Sequence, residues 1–325
     1  MTLQIGSGWQ INSGWTATPS PVPYSITYLI VAGGGGGGGG FDGAGGGAGG
    51  YITQTVTVAP GSPVTIVVGN GGKGAIGTCS SYTNGASGNV SYINSTPTGN
   101  IVAQGGGVGA GGSLPSFQLG APGGSGGGGS NDAGTPGLAG GLGTGGQGYP
   151  GGTAVNGPSP SGLYQYGGGG GGSSGAGAST VPTTTSGLPG GTATLWPYTG
   201  VYYAGGGGGG SRFLATPVGY GGGVAPGNPA KGGAGDGASR GDCGGNAIPN
   251  FGSGGGGSGA GGGYAKGGAG GSGIVILAVP TLNFTGSPAA PGANITTAPP
   301  SYPGVTLLTY TTPSPISPAT YTFTP

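Results

Sequence analysis

Residues 28–40 read YLIVAGGGGGGGG, an apolar run that passes without a break into eight consecutive glycines. Further tracts stand at residues 105–107, 126–129, 167–172, 205–210 and 254–257, so whatever the first tract does is done repeatedly. The fold turns on whether these tracts are slack linkers or a packed framework. Glycine loses more conformational freedom on ordering than any other residue and has no side chain to bury. An ordered tract must therefore be held by backbone hydrogen bonds, close dispersion and Cα–H···O contacts. Slack or a dense backbone lattice are the two alternatives.

Composition alone points to slack, because 98 Gly and 29 Pro in 325 residues far exceed ordinary globular usage. Two features oppose it. The formal net charge is only +1, whereas disordered segments are usually held open by charge, and aromatic and β-branched residues are interleaved with the glycine. The charged residues are Lys73, Lys231, Lys266, Arg212, Arg240, Asp42, Asp132, Asp236 and Asp242, with no Glu or His. They form no basic patch, which argues against nucleic acid or an anionic membrane as partner.

Taken in order, residues 1–24 carry Trp9, Trp15 and the Pro-rich TPSPVPY, and read as an extended arm without a secretory signal. Residues 25–104 form a β-rich base that includes the first tract. SITYLIVA, YITQTVTV, VTIVV, NVSYI and IVAQ are rich in Val, Ile, Thr and Tyr and bounded by turn residues, and APGSP between the second and third has hairpin-turn chemistry. From 105 to 273 glycine tracts alternate with aromatic, Pro-rich inserts, for which a flexible linker has no use. No strict Gly-X-Y period runs through the region, which excludes collagen and leaves polyglycine II, a left-handed three-residue helix in which eight glycines span about 25 Å. Side by side, such helices satisfy one another's N–H and C=O groups. A closing strand follows at residues 274–279, a natural partner for the early strands, then a Pro- and Thr-rich tail at 280–325 with possible short strands at 305–309 and 321–324, which its prolines confine to edges or extended strands. The predicted fold is all-β plus polyglycine II: a small antiparallel sheet clamping a sandwich of packed glycine helices, with essentially no α-helix. No apolar run is long enough to span a bilayer as a helix, so the expectation is a soluble product made without export.

VAGGGGGG, GGAGGY at residues 46–51, TVTVAPGSPVTIVVGNGGKG at 55–74 and the closing GGSGIVIL at 270–277 together resemble the glycine-rich domain of phage tail-fibre tip adhesins and related tail proteins. The resemblance covers residues 28–279. It implies a stiff polyglycine II scaffold and variable loops at one end that bind a host cell-surface glycan or outer-membrane protein. It also implies a place in the virion, at the tail-fibre tip, after assembly in the host cytoplasm. Only some 30 residues precede the first tract, where long-tail-fibre adhesins carry an attachment module. The two termini, with Trp9 and Trp15, are thus candidates for docking on other fibre or tail proteins, or for self-association as a homo-oligomer.

No enzymatic constellation is present. There is no His, and nucleophilic catalysis by Ser or Cys needs an oriented base. The four Asp residues make no characteristic carboxylate pair. GxGxxG matches are expected by chance in such a chain, and Gly74 and Ala75 follow Lys73 where a phosphate-binding loop needs Ser or Thr. No cofactor or metal is expected. The stretch GGAGDGASRGD, residues 232–242, approaches a calcium nonapeptide, but Asp236 arrives one residue early and the repeat is single; its Arg240-Gly241-Asp242 tripeptide reads first as solvated loop charge. Cys79 and Cys243 either form one long-range bridge or are small apolar residues.

The aromatic inserts carry the functional expectation. Trp196, Tyr198, Tyr202 and Tyr203 fall within eight residues, Phe213 follows, and Phe117, Tyr164, Tyr166 and Phe251 belong to other inserts. Rigid rings on a stiff support offer contact area at low entropic cost, suited to sugars or protein loops. The competing reading is that these rings cap or cover the glycine lattice. Two further functions are weighed: a fibre, baseplate or capsid decoration protein whose loops meet only other virion subunits, and an ice-binding glycine bundle, against which the bulky irregular inserts count.

Overall fold

A computed structural model of the chain describes residues 3–4, 9–11, 17–19, 22–60, 63–78, 81–83, 85–95, 99–113, 116–130, 137–157, 164–179, 187–212, 219–223, 228–239, 241–259, 265–284, 292–311 and 319–323. The strands used below are β1 (Tyr24–Val31), β2 (Tyr51–Val58), β3 (Val64–Val68), β4 (Ser91–Ser95), β5 (Gly99–Ala103), β6 (Thr194–Trp196), β7 (Val201–Tyr203), β8 (Ile274–Pro280), β9 (Asn294–Thr297), β10 (Val305–Thr311) and β11 (Ala319–Phe323). Helix among the described residues is confined to three-residue 3₁₀ turns. The all-β class expected from the sequence is what the chain forms, with several small antiparallel sheets where one was expected.

Two antiparallel sheets face each other. The larger has the order β9-β10-β8-β1-β2 and the smaller β5-β4-β3-β11. Alternation along each strand sorts the side chains: Ile26, Tyr28 and Ile30 of β1, Val275, Leu277 and Val279 of β8, and Leu308 and Tyr310 of β10 share one core with Val64, Ile66 and Val68 of β3 and Ile93 of β4. The residues between them, Leu29, Val31, Ile274, Ile276, Ala278 and Leu307, point to the opposite face and enter a second core. A strand covered on both faces reads as an uninterrupted apolar run, which is why YLIVA and IVILAV show no alternation in the sequence. Each large side chain so buried contributes roughly 1.5–3 kcal/mol.

Two sequence expectations are corrected here. The APGSP segment does not close a hairpin: β2 pairs with β1, while β3 pairs with β4 and β11 in the other sheet, so the connection carries the chain between sheets. The tail is not confined to edge strands either: β11 stands at an edge, as expected, but β10 does not. β10 is bonded on both sides, to β8 and β9, and β11 completes the smaller sheet beside β3. Its prolines stand outside β10, so they leave that ladder intact.

At Ala32 the β1–β2 pairing continues without the sheet. The Ala32 amide donates to the Gly50 carbonyl (3.1 Å), and residues 33–40 and 44–50 run on as an antiparallel pair, with Gly35 donating to Gly47 and Gly38 to Ala44, both at 2.8 Å. The other amides of the first tract point elsewhere. Gly33 and Gly36 donate to Asn89 and Ala86 (3.0 Å each), and Gly34 and Gly37 to Gly271 and Gly268 (2.9 and 2.8 Å). The carbonyls rotate in the same way: Gly33 and Gly36 accept from Gly106 and Gly109, Gly34 and Gly37 from Gly72 and Ala75, and Gly35 and Gly38 from Gly255 and Ser258. One tract is thus bonded to six neighbouring segments, each engaged at every third residue. That period of three equals the three residues per turn of a polyproline II-type helix.

The same rotation recurs deeper in the chain. Residues 44, 47 and 50 donate to 110, 107 and 104, residues 45 and 48 to 168 and 171, and residues 46 and 49 to 255 and 252. Residues 206 and 209 donate to 191 and 188, residues 207 and 210 to 46 and 43, and residues 208 and 211 to 235 and 238. Neighbours this close leave no space for a Cβ at these glycines. A Cβ on Gly36 would run into the Lys73 carbonyl oxygen and one on Gly46 into that of Gly35.

Candidate functional site

The insert between two glycine segments at residues 194–203 folds as a hairpin, β6 paired with β7. Cross-strand register sorts its side chains onto two faces: Trp196 opposite Val201 and Thr194 opposite Tyr203 on one, Leu195 opposite Tyr202 on the other. The first face is laid on the larger sheet. Trp196 is buried against Leu29, Ile274 and Ile276, and its Nε1–H donates to Thr53 Oγ1 (3.1 Å), whose own hydroxyl donates to the Tyr28 carbonyl (2.9 Å). Tyr203 is likewise buried, 5.7 Å from the Phe251 ring. Burial raises the Tyr203 phenol above its ordinary pKa, partly offset by its hydrogen bond to Thr199, and burial together with Tyr203 pushes Tyr51 up to about 12.

The structure therefore separates the aromatic residues expected at a receptor surface. Trp196 and Tyr203 are apolar cover for the sheet, a correction that follows from the register of a three-residue strand: alternate side chains must take opposite faces. Tyr166 is also buried, in a small cluster with Leu188. Tyr198 is half-buried between Trp196 (ring centroids 5.1 Å) and Tyr302 (4.4 Å). Tyr164 and Phe117 lie on short hairpin strands whose side chains are outside the described residues, as is Trp9 on its strand Trp9–Ile11. Phe213, Trp15, Arg240 and Cys79 lie outside the described residues, and with them the Cys79–Cys243 bridge and the arginine of the Arg-Gly-Asp tripeptide; Cys243 itself is exposed.

Tyr202 and Phe251 do come together. They line a cleft of about 500 Å³ beside the hairpin, whose remaining wall is built by residues 228–236 and 245–248. The first of these segments is a turn written by its sequence. Asn228 caps a single 3₁₀ turn by accepting from the Ala230 amide (2.9 Å), Pro229 opens that turn, and Gly232 and Gly233 leave it with φ of +58° and +74°, a conformation that L side chains rarely adopt. The reversal brings Lys231 Nζ within 2.6 Å of Asp236 Oδ2, while Asp236 Oδ1 accepts from the Gly221 amide (2.8 Å). Asp236 is thus a structural anchor, and among the described residues no cluster of three His, Cys, Asp or Glu side chains could hold a metal ion.

On the other wall, Asn246 Oδ1 accepts from the Ala269 amide (2.8 Å), and Ile248 stands 55% exposed at the rim. Because both Asn side chains accept from backbone N–H groups, their oxygens are identified and their amide nitrogens are the ends left for a ligand. The cleft thus combines two rings, an exposed aliphatic side chain, oriented amide donors and a neutralised ion pair. Its volume falls within the range of small-ligand sites, about 300–1,000 Å³. The sequence reading singled out Tyr202 and Phe251 but missed Asn228, Lys231, Asn246 and Ile248. The Asn-Pro turn followed by paired glycines was the legible signal for the first two.

The far end of the array is closed differently. Phe41, at the tip between the first two tracts, lies under the Arg212 guanidinium (4.8 Å), which also donates to Gln165 Oε1 (2.7 Å). No helix among the described residues is long and apolar enough to cross a membrane.

No curated protein matches the sequence at a significant level. The sequence model of a glycine-rich domain matches residues 11–280, a span that includes the first core strands, the tracts, the cleft and β8. On that match, which extends over most of its length, the chain belongs to the glycine-rich domain family.

Proposed function

We propose that this protein is a receptor-binding protein of the virion, at the tip of a phage tail fibre, and that it is not an enzyme. The observation that carries the reading is convergence. Three separate inserts of the glycine array, at residues 194–203, 228–236 and 245–251, meet at one cleft and present Tyr202, Phe251 and Ile248 on a backbone lattice bonded in six directions. Such a base loses little entropy when a partner binds, which favours recognition of a surface ligand by fixed side chains. The resemblance of the flanking strand motifs to tail-fibre adhesins supports the same assignment. A host cell-surface glycan or outer-membrane protein is the partner, and other fibre or tail proteins hold the chain in the particle.

The test is direct. Fluorescently labelled protein should decorate host cells, and the double substitution Tyr202→Ser and Ile248→Ser should abolish decoration while leaving the melting temperature within a few degrees. Decoration indifferent to both changes would overturn the assignment of this cleft, and a protein that decorates no host cell would overturn the adhesin reading.

A second reading, a fibre, baseplate or capsid decoration protein without receptor contact, is favoured by the burial of Trp196, Tyr166 and Tyr203, which spends aromatic inserts on scaffold. Cryo-EM of the particle separates the two, because the cleft would then be closed by a neighbouring subunit.

A further inference from the structure

Resting on the receptor-binding reading, we infer that the ligand of the Tyr202–Phe251 cleft is a neutral saccharide, recognised by apolar contact on one side and by oriented amide donors on the other. Charge is the first ground. The only ionisable pair among the lining residues is Lys231 with Asp236, bonded at 2.6 Å, so the cleft offers no net charge to an anionic sugar, a phosphate or a basic peptide. Burial of an unpaired ligand charge here would be costly. A ligand without charge carries no such cost.

The distribution of polar groups is the second ground. Asn228 and Asn246 have their oxygens fixed by the Ala230 and Ala269 amides, which aligns each NH₂ group without further ordering. Lys231 Nζ keeps protons beyond the one given to Asp236, and Asp236 keeps lone pairs beyond those given to Lys231 and Gly221. Donors and acceptors at fixed spacing, in a site that also holds rings, match a molecule with vicinal hydroxyls on one edge and a C–H face on the other. Tyr202 and Phe251, both half-buried, supply aromatic surface for that C–H face, and exposed Ile248 extends the apolar side.

Full-length labelled protein bound to host cells supplies the test. Periodate cleaves vicinal diols and so destroys saccharides, whereas protease removes surface proteins. The inference predicts that mild periodate treatment of the cells lowers binding at least tenfold and protease treatment leaves it. Asn246→Asp retains the acceptor for Ala269 but removes the NH₂ donor, and it should weaken binding at least tenfold with an unchanged melting temperature. Leu142→Ser, at a residue 74% exposed outside the cleft, should change nothing. Binding that survives periodate and is lost to protease overturns the saccharide while leaving the receptor-binding reading standing. Absence of binding to any host cell removes that reading and the inference with it. Periodate sensitivity combined with full binding by Asn246→Asp would place the saccharide elsewhere on the protein and overturn the assignment of this cleft.

Discussion

The sheet sandwich and the glycine array solve one problem in opposite ways. Every buried N–H and C=O needs a partner. In the sandwich each inner strand satisfies its backbone with two neighbours in one plane and leaves both faces to side chains, so stability rests on Leu29, Ile66, Leu277, Trp196 and their contacts. In the array an inner tract turns its bonds through three directions and is surrounded by six segments, which leaves room for little more than the side chains of Ala and Ser. A core of side chains can relax around a substitution, whereas a lattice of main chain cannot. The two regions should therefore fail differently.

The largest effect is expected from Gly36→Val. Its Cβ would meet the Lys73 carbonyl, and the Lys73 backbone is itself tied to Ala86. We expect a loss of more than about 4 kcal/mol, in the exceptional range for one substitution, read as loss of the folded species in denaturant titration. A silent Gly36→Val would make the first tract a surface loop. Next comes Trp196→Ala, which opens a cavity under the hairpin and removes the bond to Thr53. Its cost should be about 3–5 kcal/mol, with the array's amide protection retained. A loss below about 1 kcal/mol would mean that the hairpin is not core.

Alkaline titration should separate the regions by chemistry. Tyr51 is raised from the ordinary tyrosine value of 10.0 to about 12, and burial also raises Tyr203, Tyr24, Tyr28 and Tyr310. An acid whose folded pKa is raised keeps its proton longer in the folded state, so the stabilisation is complete below pH 10 and is lost as pH rises from about 10 towards 12. Melting temperature should fall through that window, and Tyr51→Phe should blunt the fall. A flat profile would contradict the buried phenols. The smallest effect is expected from Gly145→Ala, where a Cβ would have nothing within 4 Å. Stability should stay within about 0.5 kcal/mol, a contrast with Gly36 that isolates packing from glycine content.

Much of this division was legible in the sequence. YLIVA and IVILAV announced buried strands, and the low net charge with aromatic and β-branched residues interleaved among the tracts announced a lattice. Long-range pairing was legible in part: the closing strand was expected to join the early strands, and β8 does pair with β1, but the partners of the tail were not legible. That β3 pairs with β11, some 250 residues away, is recorded by no local pattern. The direction of the aromatic inserts was equally hidden. In strands as short as Thr194–Trp196 and Val201–Tyr203, moving the register by one residue exchanges Trp196 for Leu195 and Tyr203 for Tyr202, and only docking on the sheet fixes the phase. Of the cleft, two rings were found and the polar wall was not, because Asn and Lys in a turn look like solvated loop until the chain reverses at Gly232 and Gly233.

The central claim is that the tracts are bonded as fully as the strands, and native-state hydrogen exchange measures this directly. Amides of residues 33–38 and 44–50, each with a carbonyl partner at 2.7–3.0 Å, should exchange as slowly as those of β1 and β8, at the rate set by global unfolding. Exchange of these glycine amides at the rate of an unstructured chain, with the strands still protected, would contradict the lattice.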